Sequence, residues 1–320
     1  MSQTKGVFFR QLGAAVGWVL TVGLIVGLVL HAQEQTHSLF HVNVDLVVLT
    51  FTVTDSKGKH VGALKPDDLR ITEDRIPQTI VTFVEGGKTP LRLSGSPADS
   101  LEGTNIFILF DTSNCMYKGF AYASDAVAEF VRRLDPKDPV ALYTFSRNLS
   151  RMAPLARDHY QTIHGLRNAV AGDATALYNS LLLTLRDAAK IAGRKAVVVF
   201  SNGPDSASVV APDDVRAVAE DEGIPIYVIS TEDGKKDSIS SHVFQRLTTR
   251  TGGRLFWAAN WQKQTEAFAS VREDIGSSYT VAYYPAPNPN QSFRSIHVEI
   301  VSDSGKRYRV RARPGYRSHP

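Results

Sequence analysis

Five short apolar runs divide the middle of the chain at regular intervals, and segments with helical spacing separate them. Because the runs are almost uncharged, they predict strands that are buried on both faces, as in a parallel sheet. The predicted strands are 106–110, 140–145, 196–200, 224–229 and 254–257. Apolar residues recur every three or four positions in 124–134, 175–191, 213–222, 242–251 and 261–277. Strands that alternate with helices predict a doubly wound α/β domain, with a mostly parallel sheet and helices on both faces.

Both flanks of this region alternate apolar and polar residues with a period of two, which is typical of strands with one buried face. The predicted strands are 42–54, 69–72 and 79–84 before the α/β region, and 279–284, 296–301 and 308–312 after it. Neither flank alone has enough strands for a stable two-layer module. We therefore expect the two flanks to pair in one small β-sandwich.

These patterns predict five segments. They are an N-terminal signal segment (1–32), an N-terminal β segment (33–92), a linker rich in Ser, Gly and Pro (93–103), the α/β domain (104–277) and a C-terminal β segment (278–320).

The first 32 residues have the features of an export signal. Lys5 and Arg10 precede an uncharged stretch at 11–30, and Ala32 is a small residue at a plausible cleavage site. The stretch is also long enough to span a bilayer as an uncleaved anchor. Both alternatives predict an exported protein that is periplasmic, secreted, or anchored in the cytoplasmic membrane by its N-terminus.

Composition narrows the possible partners. The chain has 36 Lys and Arg against 32 Asp and Glu, a net charge of +4, and the basic residues are dispersed except near the C-terminus. This balance does not favour nucleic-acid binding, which needs a denser basic patch interleaved with aromatic residues. Cys115 is the only cysteine, so no internal disulfide is possible. We expect it to be a small, partly buried hydrophobic residue.

Polar residues follow the first predicted strand at alternate positions: Asp111, Ser113 and Cys115. In an open α/β sheet, ligands bind beyond the carboxyl ends of the strands. Thr175 precedes a predicted helix, and Asn202 and Asp205 follow another buried strand. Carboxylate and hydroxyl oxygens at this edge suit a hard cation such as Mg²⁺.

The motif Asp111-Thr-Ser113-Asn-Cys115 resembles the first loop, Asp-x-Ser-x-Ser, of the metal-ion-dependent adhesion site of von Willebrand factor type A domains. The segment around Thr175 resembles the second element of that site, and Ser-Asn202-Gly resembles the third. In two places the chain departs from the family pattern: Cys115 replaces a Ser and Asn202 replaces an Asp. The arrangement of the segments also resembles exported bacterial proteins in which β segments flank such a domain.

The resemblance implies that Asp111, Ser113 and Thr175 hold Mg²⁺ or Mn²⁺, with Cys115, Asn202 and Asp205 at the rim. An acidic side chain of a partner protein would fill the open coordination position, and Asn114, Cys115, Asp173 and Asn202 would contact that partner. Asp205 and Asp173 are alternative sources of a second carboxylate. Thiolates prefer softer metals than Mg²⁺, and the neutral amide of Asn202 lowers the ligand charge.

Two alternatives remain open at this point. One is a structural or assembly module that binds its partner without metal, because its site is degenerate. The other is a thiol enzyme that uses Cys115 with a distant base such as His159 or His164. The sequence contains no nucleophile elbow, phosphate-binding loop, dinucleotide fingerprint or His-Glu-x-x-His motif. We therefore expect a binding protein that is not an enzyme.

Overall fold

We describe the protein from a computed structural model, which covers residues 46–86, 88, 91–92, 101–232, 238–302 and 307–318. The predicted signal segment 1–32 lies outside these residues, as do most of the predicted linker and the first part of the strand predicted at 42–54. Export and the domain boundaries therefore stay predictions. Among the described residues, no helix is both long enough and apolar enough to cross a bilayer.

The described residues form strands β1 Val47–Thr54, β2 Leu69–Glu73, β3 Ile76–Pro77, β4 Ile80–Glu85, β5 Leu91–Arg92, β6 Asn105–Asp111, β7 Val140–Phe145, β8 Leu149–Ala156, β9 Lys195–Ser201, β10 Ile226–Ser230, β11 Leu255–Trp257, β12 Tyr279–Tyr283, β13 Phe293–Ile300, β14 Arg309–Ala312 and β15 Gly315–Arg317. The α-helices are α1 Phe120–Arg132, α2 His159–Arg167, α3 Leu177–Ala189, α4 Pro212–Asp221, α5 Ser238–Thr251 and α6 Trp261–Gly276.

The central sheet has the strand order β11-β10-β9-β6-β7-β8. Its first five strands are parallel, and β8 is antiparallel to β7. One face packs against α1, α2 and α6 through residues such as Val127, Leu166 and Phe268. The other face packs against α3, α4 and α5 through Leu181, Val215 and Phe244. This confirms the predicted doubly wound α/β fold.

The flanking strands form two antiparallel sheets, with the orders β14-β1-β12-β4-β5 and β15-β13-β2-β3. Strands from the two ends of the chain alternate within them, since β12 lies between β1 and β4, and β13 pairs with β2. Side chains from both sheets meet in a third core, which includes Phe51, Ile71, Tyr279 and Val298. These sheets are the two layers of a small sandwich.

Buried polar contacts join the sandwich to the α/β layer. Arg194 donates hydrogen bonds to the carbonyl oxygens of Gly86 and Ile275 and to Ser278 Oγ. Asp274 of α6 lies 2.9 Å from His60 Nε2 and 2.6 Å from Arg311 Nη2. Burial lowers the pKa of Arg194 to about 10, but the guanidinium stays charged at neutral pH.

Candidate metal and partner-binding site

Asp111 is the last residue of β6, at the carboxyl edge of the central sheet. Alternation along the strand places its side chain on the same face as Phe107 and Leu109, which pack toward α3, α4 and α5. The Asp111 side chain is buried, with an exposed fraction of 0%. Its Oδ2 accepts a 2.6 Å hydrogen bond from Ser201 Oγ, and its Oδ1 accepts a 2.8 Å bond from the Ser113 amide.

The charge on Asp111 is not balanced by a neighbouring side chain. Burial raises the pKa of the carboxyl group, and the hydrogen bonds from Ser201 and from the Ser113 amide only partly oppose this effect. Within the described residues, no Lys, Arg or His forms an ion pair with Asp111. A buried carboxylate without a cationic partner is costly, so this position favours the binding of a positive ion.

Neutral oxygens without hydrogen-bond partners occur at the same edge. Ser113 Oγ, Asn202 Oδ1 and Ser230 Oγ are buried and have no partner in the part of the chain that the structure describes. The β9–β10 register pairs Ser201 with Ser230, so both serines follow Asp111 in a row across the sheet. Buried polar atoms normally find partners, and such unpaired oxygens are suited to binding a cation or water.

Backbone hydrogen bonds connect the loops that carry these side chains. The Asn114 amide donates to the Asp173 carbonyl, and the Gly172 amide donates to the Thr112 carbonyl. A Cβ at Gly172 would clash with Oγ and Cβ of Ser146, so glycine allows this close approach of the two loops. Thr175 is buried, and its carbonyl accepts from the amides of Ser206 and Ala207. Asp111, Ser113, Thr175 and Asn202 therefore lie on connected loops at one edge.

Two of the predicted carboxylates have other roles. Asp205 accepts from the Tyr178 amide at the start of α3 and from Ser208 Oγ, although it lies near enough to raise the pKa of Asp111. Asp173 is exposed, and its Oδ2 lies 3.4 Å from Arg147 Nη2. The Ala174 amide and Arg147 hold the pKa of Asp173 below its usual value. Neither residue supplies a second buried carboxylate beside Asp111.

Cys115 lies in a short 3₁₀ helix, Asn114–Gly119, above the site. Its thiol is exposed and donates to Asn114 Oδ1 at 3.4 Å. The expectation of a partly buried cysteine was therefore wrong. Because Cys115 is at the carboxyl edge of the sheet and His159 bonds the Asp138 carbonyl ahead of β7, the structure does not bring these two residues together. His164 Nδ1 forms a hydrogen bond with Asn168 Nδ2, just after the end of its own helix, α2.

Sequence reasoning missed Ser201 and Ser230, the last residues of β9 and β10. Each is the first polar residue after an apolar run, and this signal could have identified both. No group of three or more His, Cys, Asp or Glu side chains placed to hold a metal occurs in the described ranges. A cation here would therefore depend on one carboxylate and neutral oxygens.

Residues 106–204 match the family model described as the von Willebrand factor type A domain. The chain contains a von Willebrand factor type A domain. The match covers β6 to the loop after β9, and so includes Asp111, Ser113, Thr175 and Asn202. No curated protein matches the chain.

Several solved structures are similar to this chain over half of its length or more. An aerotolerance-related membrane protein from Bacteroides fragilis is 16% identical, with 54% of this chain and 98% of that chain covered and a TM-score of 0.45. A von Willebrand factor type A protein from Catenulispora acidiphila is 10% identical, covering 76% and 75%, with a TM-score of 0.45. The mussel byssus protein PTMP1, with a zinc-occupied MIDAS motif, is 16% identical, covering 54% and 48%, with a TM-score of 0.44.

Proposed function

We propose that this protein binds another protein through the loops at the carboxyl edge of the central sheet, with a Mg²⁺ or Mn²⁺ ion bridging to an acidic side chain of the partner. The observation that carries the proposal is the buried Asp111 carboxylate, which has no cationic partner among the described residues and lies among unpaired oxygens. Asp111, Ser113 and Thr175 would hold the ion, and Asn202 would add a neutral oxygen. The bound ion would supply positive charge for the partner's carboxylate.

Exposed apolar side chains at the same edge support a protein partner. Val170, Val209 and Ile239 are 79%, 91% and 77% exposed, and Trp261 is also exposed. They lie in loops or first helical turns at the carboxyl ends of the strands. Apolar contacts around a central charged bond are typical of protein interfaces. Asn114 and Cys115, in the loop after β6, are also exposed and would be available to the same partner.

Calorimetric titration of the purified protein with Mg²⁺ and Mn²⁺ tests the metal part of this proposal. We expect saturable binding that Asp111→Ala abolishes, because this change removes the only buried carboxylate of the site. Asp125→Ala, which removes an exposed carboxylate on α1, should leave the binding unchanged.

No heat of binding at millimolar cation would contradict the metal-dependent function. Partner binding that survives both EDTA and Asp111→Ala would then favour the alternative, a metal-independent assembly module. This alternative has a basis in the sequence, because Cys115 and Asn202 stand where the metal-binding pattern has a Ser and an Asp.

Export belongs to the same proposal. A C-terminal fusion to alkaline phosphatase, which is active only outside the cytoplasm, tests it.

A further inference from the structure

The β-sandwich has an open side, far along the chain from the candidate metal site. On this side, β13 of one sheet and β14 of the other line a cleft of about 750 Å³. A cleft of this size is within the range of ligand-binding clefts in proteins. Its walls are sheet edges, so the groups that it offers a ligand include backbone amides and carbonyls.

Among the described residues, the edge of β13 that faces the cleft is unpaired over most of its length. Pairing of β13 with β15 ends at Ser295, and the Ile296 amide donates to the Pro314 carbonyl. On the opposite edge, the Val301 amide donates to the Asp68 carbonyl, which continues the pairing with β2. Because backbone groups alternate between the two edges of a strand, the amides and carbonyls of Val298 and Ile300 point to the cleft.

The β14 side of the cleft is also a free edge. β14 is the terminal strand of its sheet and pairs only with β1 among the described strands. Unpaired edges of this kind are templates for the addition of another strand. Two such edges on one cleft provide hydrogen-bonding groups on both sides of an incoming peptide.

The sandwich core is incompletely covered on this side. Ile300, Tyr308 and Val310 pack against the core and line the cleft, but they are only partly buried. On the covered side of the sandwich, Leu49 and Val281 are fully buried. Apolar side chains that alternate along an added strand would remove this exposed surface from water, which is favourable.

The charge around the cleft indicates which residues an added strand would have on the face that points away from the core. Arg307 and Arg309 are exposed, and no described carboxylate pairs with either of them. Glu299 is engaged by Arg70 at 3.2 Å, so it does not neutralise these arginines. A peptide with carboxylates on its outward face would complement this positive rim.

We propose that the cleft binds an extended segment of a partner protein, added as a β-strand along β13, with apolar residues facing the core and acidic residues facing Arg307 and Arg309. Main-chain hydrogen bonds give affinity in this binding mode, and alternate side chains give specificity. The surface is separate from the loops around Asp111, and its binding does not require a metal.

Fluorescence anisotropy with the purified full chain tests this. The probe is a labelled heptapeptide of alternating Val and Glu, and the comparison peptide has Lys in place of each Glu. We expect saturable binding of the acidic probe, about tenfold weaker binding of the basic one, and loss of binding when alternate amides of the acidic probe are N-methylated. EDTA should have no effect, which separates this result from that of the metal titration.

Two variants localise the binding. Arg309→Glu should weaken the acidic probe about tenfold, since it replaces an attraction by a repulsion. Arg186→Glu, at an exposed arginine on α3, should leave it unchanged. Indifference to N-methylation, equal affinity for both probes, or an equal effect of the two variants would overturn the proposal. Tighter binding of a peptide of residues 38–46, which directly precede β1, would also overturn it, in favour of a segment of this chain, from the same or a second copy, as the occupant.

Discussion

Three aspartates near the candidate site show that the same type of side chain has a different role at each position. Asp111 is buried at a strand end, and burial raises its pKa. Asp205 accepts a hydrogen bond from the Tyr178 amide at the start of α3. Asp173 is exposed and lies beside Arg147. All three were candidate ligands from the sequence, because loop composition does not distinguish them. Only the packing of the loops shows that Asp111 is the one carboxylate buried among unpaired oxygens.

Asp74 illustrates the opposite electrostatic situation. It accepts hydrogen bonds from the Ser295 amide and hydroxyl and from the side chains of Asn288 and Asn290. Burial raises the pKa of Asp74, but these bonds outweigh burial and hold the pKa well below the usual 3.8. Since the folded pKa is lower than the unfolded one, the stabilisation is complete above about pH 4 and is lost as the pH falls further.

Asp74→Asn should therefore destabilise the protein by about 1–2 kcal/mol at neutral pH, because the neutral amide accepts weaker hydrogen bonds. The difference from the wild type should shrink as the pH falls below about 4, because the Asp74 carboxylate becomes protonated in the unfolded chain before it does so in the folded protein. Urea unfolding at about pH 7 and pH 3 measures the difference in the free energy of unfolding between the wild type and Asp74→Asn. Equal differences at the two pH values would show that the lowered pKa of Asp74 does not stabilise the folded protein.

At the scale of elements, apolar runs predicted the central strands of the sheet and its edge strand β11, but missed β8 at the other edge. β8 carries Pro154 and leaves several side chains exposed, as an edge strand can, and α2 after it is mostly polar. Neither has a strong period of its own. β8 forms because it pairs with β7, and α2 forms because its residue Leu166 packs in the core. Tertiary contacts override weak local patterns of this kind.

The β2–β3 turn offers an element-level prediction. Glu73 pairs with Ile76, so Asp74 and Arg75 form a two-residue loop, with φ of 50° and 69°. Positive φ at both positions is typical of a type I′ turn, which favours glycine at the second. Arg75→Gly should stabilise the protein by about 1 kcal/mol, since left-handed φ costs a non-glycine residue about that amount.

Urea unfolding of Arg75→Gly measures this effect, with Asp74→Gly as the matched control. The control relieves the same backbone strain but loses the Asp74 hydrogen bonds, so it should destabilise the protein. A midpoint for Arg75→Gly at or below that of the wild type would rule out relief of strain as the dominant effect.

At the scale of the whole molecule, the sandwich and the α/β layer depend on each other. Strands from both ends of the chain interleave around β12, and Asp274 of α6 binds His60 near β1 and Arg311 of β14. Arg254 Nη1, at 3.7 Å from Asp274 Oδ1, adds a second guanidinium to this cluster. The carboxylate is almost fully buried. Removing one member of a buried charge cluster leaves the others uncompensated.

Asp274→Ala should therefore lower the free energy of unfolding by about 3 kcal/mol. The control is Asp125→Ala, an exposed aspartate on α1 that should change stability by less than about 0.5 kcal/mol. Thermal unfolding followed by circular dichroism compares the two. A similar small effect of both variants would show that Asp274 does not stabilise the junction between the two layers.

The sequence by itself determined the secondary structure of the core and the order of its elements, because periods of two and about 3.6 depend only on nearby residues. It also located Asp111, Ser113 and Thr175 through their places beside strands and helices. Only the tertiary structure decided which carboxylate is buried and which oxygens lack partners. It alone also brought Thr50 Oγ1 within 3.0 Å of Thr280 Oγ1 and formed the cleft that β13 and β14 line among the described residues. Such contacts join residues far apart in the chain, and the energy of a buried charge depends on everything packed around it.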